Sequence, residues 1–301
     1  MAALEVPVPP RSIGLRAAAP PEDRPPVNGA PQRDGGPVVC AVDLSGRSRH
    51  AMREADALAR TLGSRLLVQV VRPKGLAAVA AAEGAELVVV GVPSRALIGS
   101  ALLARRYRAL LRDSPCPVVA VPPGARPDPA GRFSRFRARD SILCGIDAGD
   151  VALLTARVAA DLGAQLRLRP IVLHAHEPGG KVSLEPTFGT AGPDPREEDA
   201  RRAWALLGRT VEQLGAAAEG RLVVGWPAAT LRRVAGRERS SLIVVGTSRP
   251  GLIRSVLCAA VPAQLVASAT VPVVIVPRGA RRWPGGKRHA KRIVSVSPSS
   301  V

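Results

Sequence analysis

At 301 residues and 46% hydrophobic content the chain can hold two domains with their own cores, which Ala, Val and Leu must fill because aromatics make up only 2%. The formal charge of +19 would by itself point to nucleic acid or an acidic surface, but only four of the 43 basic residues are lysines. Abundant Arg, Ala, Gly and Pro with little Lys is the mark of a GC-rich bacterial genome, and the excess gathers between the domains and in the C-terminal tail, so the charge is discounted as a functional signal.

In chain order, residues 1–36 are rich in Pro, Gly and Ala without apolar periodicity and are expected to be disordered. A first unit spans 37–122. Its strand at 38–42 ends at Asp43, and Leu44, Ser45 and Gly46 make the turn. A helix over 48–62 follows, with Ala51, Ala55, Leu58 and Leu62 at helical spacing and Gly63 as its C-cap. Strands at 66–71 and 87–90 flank a short helix at 76–82. Leu103, Tyr107, Leu110 and Leu111 form one face of the next helix, and a strand at 117–121 closes the unit. Residues 123–140 are a linker, PGARPDPAGRFSRFRARD, whose Phe133 and Phe136 fit either stacking on single-stranded nucleic acid or packing on the adjacent domain.

A second unit spans 141–280. A strand at 142–146 ends at Asp147, and a helix at 151–162 is capped by Gly163. A strand at 166–174, a long polar loop at 177–196 and a helix at 196–214 follow, with Ala203, Leu206, Leu207 and Val211 facing inward. A strand at 222–224 turns through Gly225, Trp226, Pro227 and Ala228 into a helix reaching 234. The strand at 242–245 stops at Gly246, a loop carries Arg249, Pro250, Gly251 and Arg254, a helix forms around Val261, Leu265 and Val266, and a strand at 271–276 closes the unit. Short Val- and Ile-rich runs bounded by Gly and Pro read as strands buried on both faces, and strand, glycine loop, helix, strand is a βαβ unit. The remaining residues, 281–301, form a basic tail that fits phosphate contacts or plain solvation.

The two units are copies. Residues 86–122 align with 241–277 without a gap, so that Gly91 matches Gly246, Ser100 matches Ser255, Leu110 matches Leu265 and Pro117 matches Pro272, each pair 155 apart. Asp43 and Asp147 are offset by 104, and Leu62-Gly63 and Leu162-Gly163 by 100. Taken from the last pair, the first repeat lacks 55 residues of its middle, the loop, one helix and one strand.

Cys40, Cys116, Cys144 and Cys258 form no CxxC pair, which leaves zinc and redox motifs unsupported and reads as reduced thiols in a cytoplasmic protein. The uncharged stretch 256–277 is long enough to suggest a membrane span, but Pro262, Gln264, Ser268, Thr270 and Pro272 interrupt it, and it reads as helix then strand. Prolines occupy the N-terminus where a signal peptide needs an apolar run. His174 and His176 sit two apart beside Glu177, short of a convergent third metal ligand. No Gly-x-Ser-x-Gly elbow or Ser/His/Asp set is present, and no enzyme is expected.

The paired strands ending in Asp (VCAVDLS, ILCGIDA), the strands ending in Gly (ELVVVG, SLIVVG), the closing strands after Pro (SPCPVVAVP, TVPVVIVP) and the segment 225–231 together resemble a tandem universal stress protein. The resemblance implies an α/β fold of two tandem open parallel sheets with flanking helices, Rossmann-like order 3-2-1-4-5 in the second repeat and a four-stranded remnant in the first. It also implies ATP at the switch between strands one and four. Family members that bind ATP follow the fourth strand with Gly, two residues, Gly, nine residues, then Gly and Ser or Thr, because backbone amides must approach the phosphates. Here Gly246 is followed by Arg249 and Ala259-Ala260, and Gly91 by Ser94 and Ala104-Arg105.

The expected function is therefore a cytoplasmic stress-response regulatory or binding module with degenerate nucleotide sites and weak or no ATP binding. The nucleotide positions implied by the resemblance are Asp43, Ser45, Gly91, Asp147, Gly246 and Ser255, with Arg249, Gly251 and Arg254 as a substitute anion site. A turn or helix-capping role serves Asp43 and Asp147 equally well. The alternative is an ATP switch or slow ATPase that uses Arg in place of the glycines, and a further alternative is a nucleic-acid-associated protein using the linker and tail. The partners expected are each repeat for the other, as an intrachain pseudo-dimer through 117–121 and 272–276, and proteins of stress signalling, with no membrane.

Overall fold

The structure is a computed structural model that describes residues 35–42, 48–70, 73–92, 110–111, 113–122, 125, 140–176, 195–215, 218–247 and 260–280, all within the compact unit Gln32–Val301. In the first repeat β1 (Val38–Ala41) and β2 (Leu66–Gln69) are joined by α1 (Ser48–Leu62), and α2 (Pro73–Ala82) leads to β3 (Leu87–Gly91). β4 (Val118–Val121) closes the repeat. The second repeat runs β5 (Ser141–Ile146), α3 (Ala152–Leu166), β6 (Arg169–His176), α4 (Pro195–Leu214), β7 (Glu219–Val224), α5 (Pro227–Arg237), β8 (Ser240–Gly246), α6 (Ala260–Ser268) and β9 (Val273–Val276). Leu110 and Leu111 are helical as expected, but Leu103 and Tyr107, residues 177–194 of the long polar loop, and residues 1–34 and 281–301 lie outside the described residues, and 195–196 begin α4.

The strands form one sheet ordered β2-β1-β3-β4-β9-β8-β5-β6-β7. Its second half has the order 3-2-1-4-5, and its first half has the same order without the third strand. The expected two sheets are therefore one. β4 and β9 pair antiparallel, with Val118 opposite Ile275, Val119 opposite Val274 and Ala120 opposite Val273. Val119 and Val274 are equivalent residues of the two repeats, so the seam has a local two-fold axis, the self-complementary geometry of an isologous interface. All other neighbouring strands run parallel. Pairing satisfies the backbone groups that two separate closing strands would expose.

Strand side chains alternate between two cores. Val38, Cys40, Ile142, Cys144 and Val274 pack under α1, α3 and α4. Val39, Leu143, Ile243, Val273 and Ile275 pack with Leu76, Leu231 and Leu265 of the helices on the other face.

Boundaries are corrected where α3 meets β6, whose first residue is Arg169 rather than Leu166. α3 does not stop at Leu162 with Gly163 as its cap, but continues to Leu166 and ends on Arg167, which adopts a left-handed φ of 59°. Gly163 lies inside the helix, where a Cβ would come within 3.0 Å of Ile142 Cγ2 and 3.1 Å of the Leu168 carbonyl. The first repeat repeats the turn: Gly63 has φ 70°, and Ser64 N–H donates to the Ala59 carbonyl as Leu168 N–H donates to that of Gly163, both at 2.8 Å. Gly63 thus matches Arg167, and the offset stays at 104 into the second strand, where Val38 pairs with Leu66 and Ile142 with Pro170. The segment missing from the first repeat is then 51 residues rather than 55.

Candidate functional site

After β5 the chain passes to α3 on one face of the sheet, and after β8 toward α6 on the other. The carboxyl ends of these neighbouring strands therefore splay apart, and open α/β sheets bind ligands in such a crevice. A cleft of about 680 Å³ lies there, with Ile146 and Asp147, Val245 and Gly246, and His174 and His176 at the ends of β5, β8 and β6. That volume falls within the range of small-molecule sites.

Each strand end has a local reason for its residue. Gly145 makes room for α5, since a Cβ would lie 2.7 Å from Leu231 Cδ1. Asp147 Oδ1 accepts the Gly149 N–H at 2.9 Å, the turn role anticipated for it. A Cβ on Gly246 would lie 2.5 Å from Thr155 Oγ1 and 2.7 Å from Val151 Cγ2, so the first turn of α3 already occupies the space beside that glycine. His174 Nδ1 is 3.1 Å from the Ile146 carbonyl, and burial pulls the imidazole below its usual pKa. With Nδ1–H donating to that carbonyl, Nε2 is left as an acceptor.

The sequence expectation overlooked the cleft's arginines. Asp199, Arg202, Ala203, Leu206 and Arg209 of α4 form one wall. Arg202 pairs with Glu198 at 2.6 Å, whereas Arg209 has no ion-pair partner among the described residues. The signal was available, because Ala203 and Leu206 were placed on the inner face and helical spacing puts Arg202 and Arg209 beside them.

Of the expected site residues, Asp147 and Gly246 come together in the cleft. Gly91 ends β3 in the corresponding place of the first repeat, paired with Val121. Asp43, Ser45, Arg249, Gly251, Arg254 and Ser255 lie outside the described residues. Among the described residues no three His, Cys, Asp or Glu side chains are grouped to hold a metal ion, and no helix is long and apolar enough to cross a membrane. Cys40, Cys116 and Cys144 are free and buried, and burial pushes the Cys40 thiol up to about 12 and that of Cys116 up to about 11.

The model of the universal stress protein family matches residues 72–122 and 138–277. A universal stress protein of Thermus aquaticus, named for the QAH/OAS sulfhydrylase 3' region, is 30% identical over 137 residues, covering 45% of this chain and 97% of its own. A universal stress protein structure from Archaeoglobus fulgidus aligns with a TM-score of 0.53 at 14% identity, over 81% of this chain and 97% of that one. One crystallised in complex with cAMP is 25% identical over 46% of this chain and 97% of that chain, with a TM-score of 0.35. With more than half of its residues matched by the family model, in two segments that fall one in each repeat, the chain belongs to the universal stress protein family.

Proposed function

We propose that the chain is a cytoplasmic regulatory binding module of the stress response, without enzymatic activity, whose nucleotide sites are degenerate and bind ATP weakly or not at all. The observation that carries this reading is Gly246. It is the one loop glycine of the ATP pattern kept after β8, and Thr155 and Val151 fill the space beside it. The sequence replaces the other glycines with Arg249 and Ala259-Ala260, so fewer bare amides are offered to phosphates. Signalling to a protein partner is then the output, with the β4–β9 seam holding the two repeats as a pseudo-dimer.

A second reading, an ATP-binding switch or slow ATPase using arginines in place of glycines, is favoured by Arg202 and Arg209 on the cleft wall. Equilibrium binding of ATP with Mg²⁺, run beside a thermal shift, separates the two. A 10 μM ligand at 1 mM would stabilise the chain by about 2.7 kcal/mol. That is a rise in Tm of roughly 5–10 °C for a domain of this size. No saturable binding and no shift supports the degenerate site. Micromolar binding that weakens in Asp147→Ala and Arg249→Ala supports the switch and overturns the first reading.

A further inference from the structure

Arg60 pairs with Asp56 on α1 and Arg202 with Glu198 on α4, whereas Arg49 and Arg53 of α1 and Arg209 of α4 are exposed without an ion-pair partner among the described residues. α5 and its C-terminal turn concentrate such arginines. Arg232, Arg233, Arg237 and Arg239 of the helix and its C-terminal turn are exposed and have no ion-pair or hydrogen-bond partner among the described residues. Between Glu219 and Ala280 the sequence has two acids against eight arginines. Both acids are engaged elsewhere, Glu238 with Arg169 at 2.8 Å and Arg221 at 2.6 Å, and Glu219 with the same two arginines. α6, packed beside α5, has no ionisable residue. The favourable field of a helix C-terminus explains one or two basic residues in the last turn, but not a second row upstream.

Two further features of the face lack a packing reason. Trp226, the residue capping the helix start, is 58% exposed and makes no side-chain capping hydrogen bond. Seven and eleven residues on, Arg233 and Arg237 lie within about 20° of it around the helix axis, so one stripe runs from the indole to both guanidiniums. Gly236 sits exposed between the arginine rows with nothing within 4 Å of the Cβ it lacks. A glycine inside a helix costs about 1 kcal/mol relative to alanine, and here it leaves a flat floor among the cations.

We propose that the exposed face of α5, with Trp226 at its head and Arg232, Arg233 and Arg237 along it, is a docking ridge for single-stranded nucleic acid. Arg233 and Arg237 are one helical turn apart, about 5–6 Å, which suits consecutive phosphates of an extended strand. An exposed indole at the end of a cationic track is the stacking platform that such strands use without sequence preference. A single strand is favoured over a duplex because the indole reaches a base face only when that base is unstacked, and over a membrane because Trp226 is the one large apolar side chain on the exposed face of the described helix. The ridge is distinct from the cleft, so this inference does not depend on the ATP reading.

The test uses the full chain and a fluorescent oligo-dT of about 20 nucleotides, with anisotropy titrations over a range of salt. The expected result is salt-dependent binding that weakens about tenfold or more in Arg232→Ala/Arg233→Ala/Arg237→Ala, with the salt slope lowered by about two for three lost phosphate contacts. Trp226→Ala should weaken binding about fivefold or more, and Trp226→Phe should restore most of it. In a Trp204→Phe/Trp283→Phe background the remaining Trp226 emission should be quenched by the oligonucleotide. Unchanged affinity and slope in the triple variant, with no quenching, would place binding on other basic segments and overturn the proposal. Duplex binding indifferent to Trp226, or binding to phosphatidylserine vesicles without binding to oligo-dT, would overturn it equally.

Discussion

Gly246→Ala tests whether the glycine that ends β8 is kept for its neighbours in the fold or for a ligand. The added methyl would sit 2.5 Å from Thr155 Oγ1 and 2.7 Å from Val151 Cγ2. Neither atom can swing into solvent: Thr155 is 1% and Val151 4% exposed, and the Thr155 hydroxyl donates to the Val151 carbonyl at 2.7 Å. The first turn of α3 must therefore shift as a block. Overpacking of this kind costs about 1–3 kcal/mol. Replacing a glycine returns about 0.4–1 kcal/mol through the unfolded chain. The net loss is then about 1–2 kcal/mol, or roughly 2–8 °C in Tm for a unit of this size. Urea and thermal unfolding of the ligand-free protein measure it. Because Thr155 makes the closest contact, Gly246→Ala/Thr155→Ala should lose less than the sum of its single variants. An unchanged Tm in Gly246→Ala, or strict additivity in the double variant, would refute the packing argument.

Arg167→Gly should stabilise the protein by roughly 0.5–1 kcal/mol, seen in the urea midpoint, because Arg167 is exposed and holds a left-handed φ of 59° where Gly63 stands in the first repeat. Hydrogen bonds from Arg221 and then Arg169 hold the Glu238 carboxyl below the usual carboxylate range. Since its folded pKa is lowered, Glu238 contributes stability above about pH 4.5 that is lost as the pH falls through the folded value. Glu238→Gln should therefore lower stability at pH 6–7 and differ less from the parent as the pH approaches 3, as followed by urea unfolding across that range. With burial raising their thiols to about 12 and about 11, Cys40 and Cys116 should resist Ellman's reagent at pH 8, along with Cys144, until denaturant opens the core.

Much of the fold was legible in the sequence because its strands announce themselves locally. Val- and Ile-rich runs such as 87–90 and 271–276, bounded by Gly or Pro, permit little except a buried strand. The gapless match of 86–122 to 241–277 establishes the duplication without coordinates. The order of the paired motifs carries the resemblance to the family. Asp147 and Gly246 were also reachable, since a strand's last residue before its loop is visible as the end of an apolar run.

What needed the tertiary structure depends on distance or on backbone choice. The Gly163 cap fails because a glycine serves equally as a left-handed terminus and as a close-packing point, and only the approach of Ile142 and the Leu168 carbonyl decides between them. Arg167 in a left-handed conformation has no local signature, because propensity disfavours it and tertiary contacts overrule propensity. The joining of two expected sheets into one depends on hydrogen bonds between strands about 155 residues apart in sequence. Arg202 and Arg209 belong to the cleft because α4 packs on β6, β7 and α3, and that placement is a matter of packing. The sequence by itself determined the strands, the repeat, the family and the closing strands as the seam; the tertiary structure decided which glycines are spacers, which arginines are paired and in what register the seam joins the two halves, because those follow from contacts no local pattern encodes.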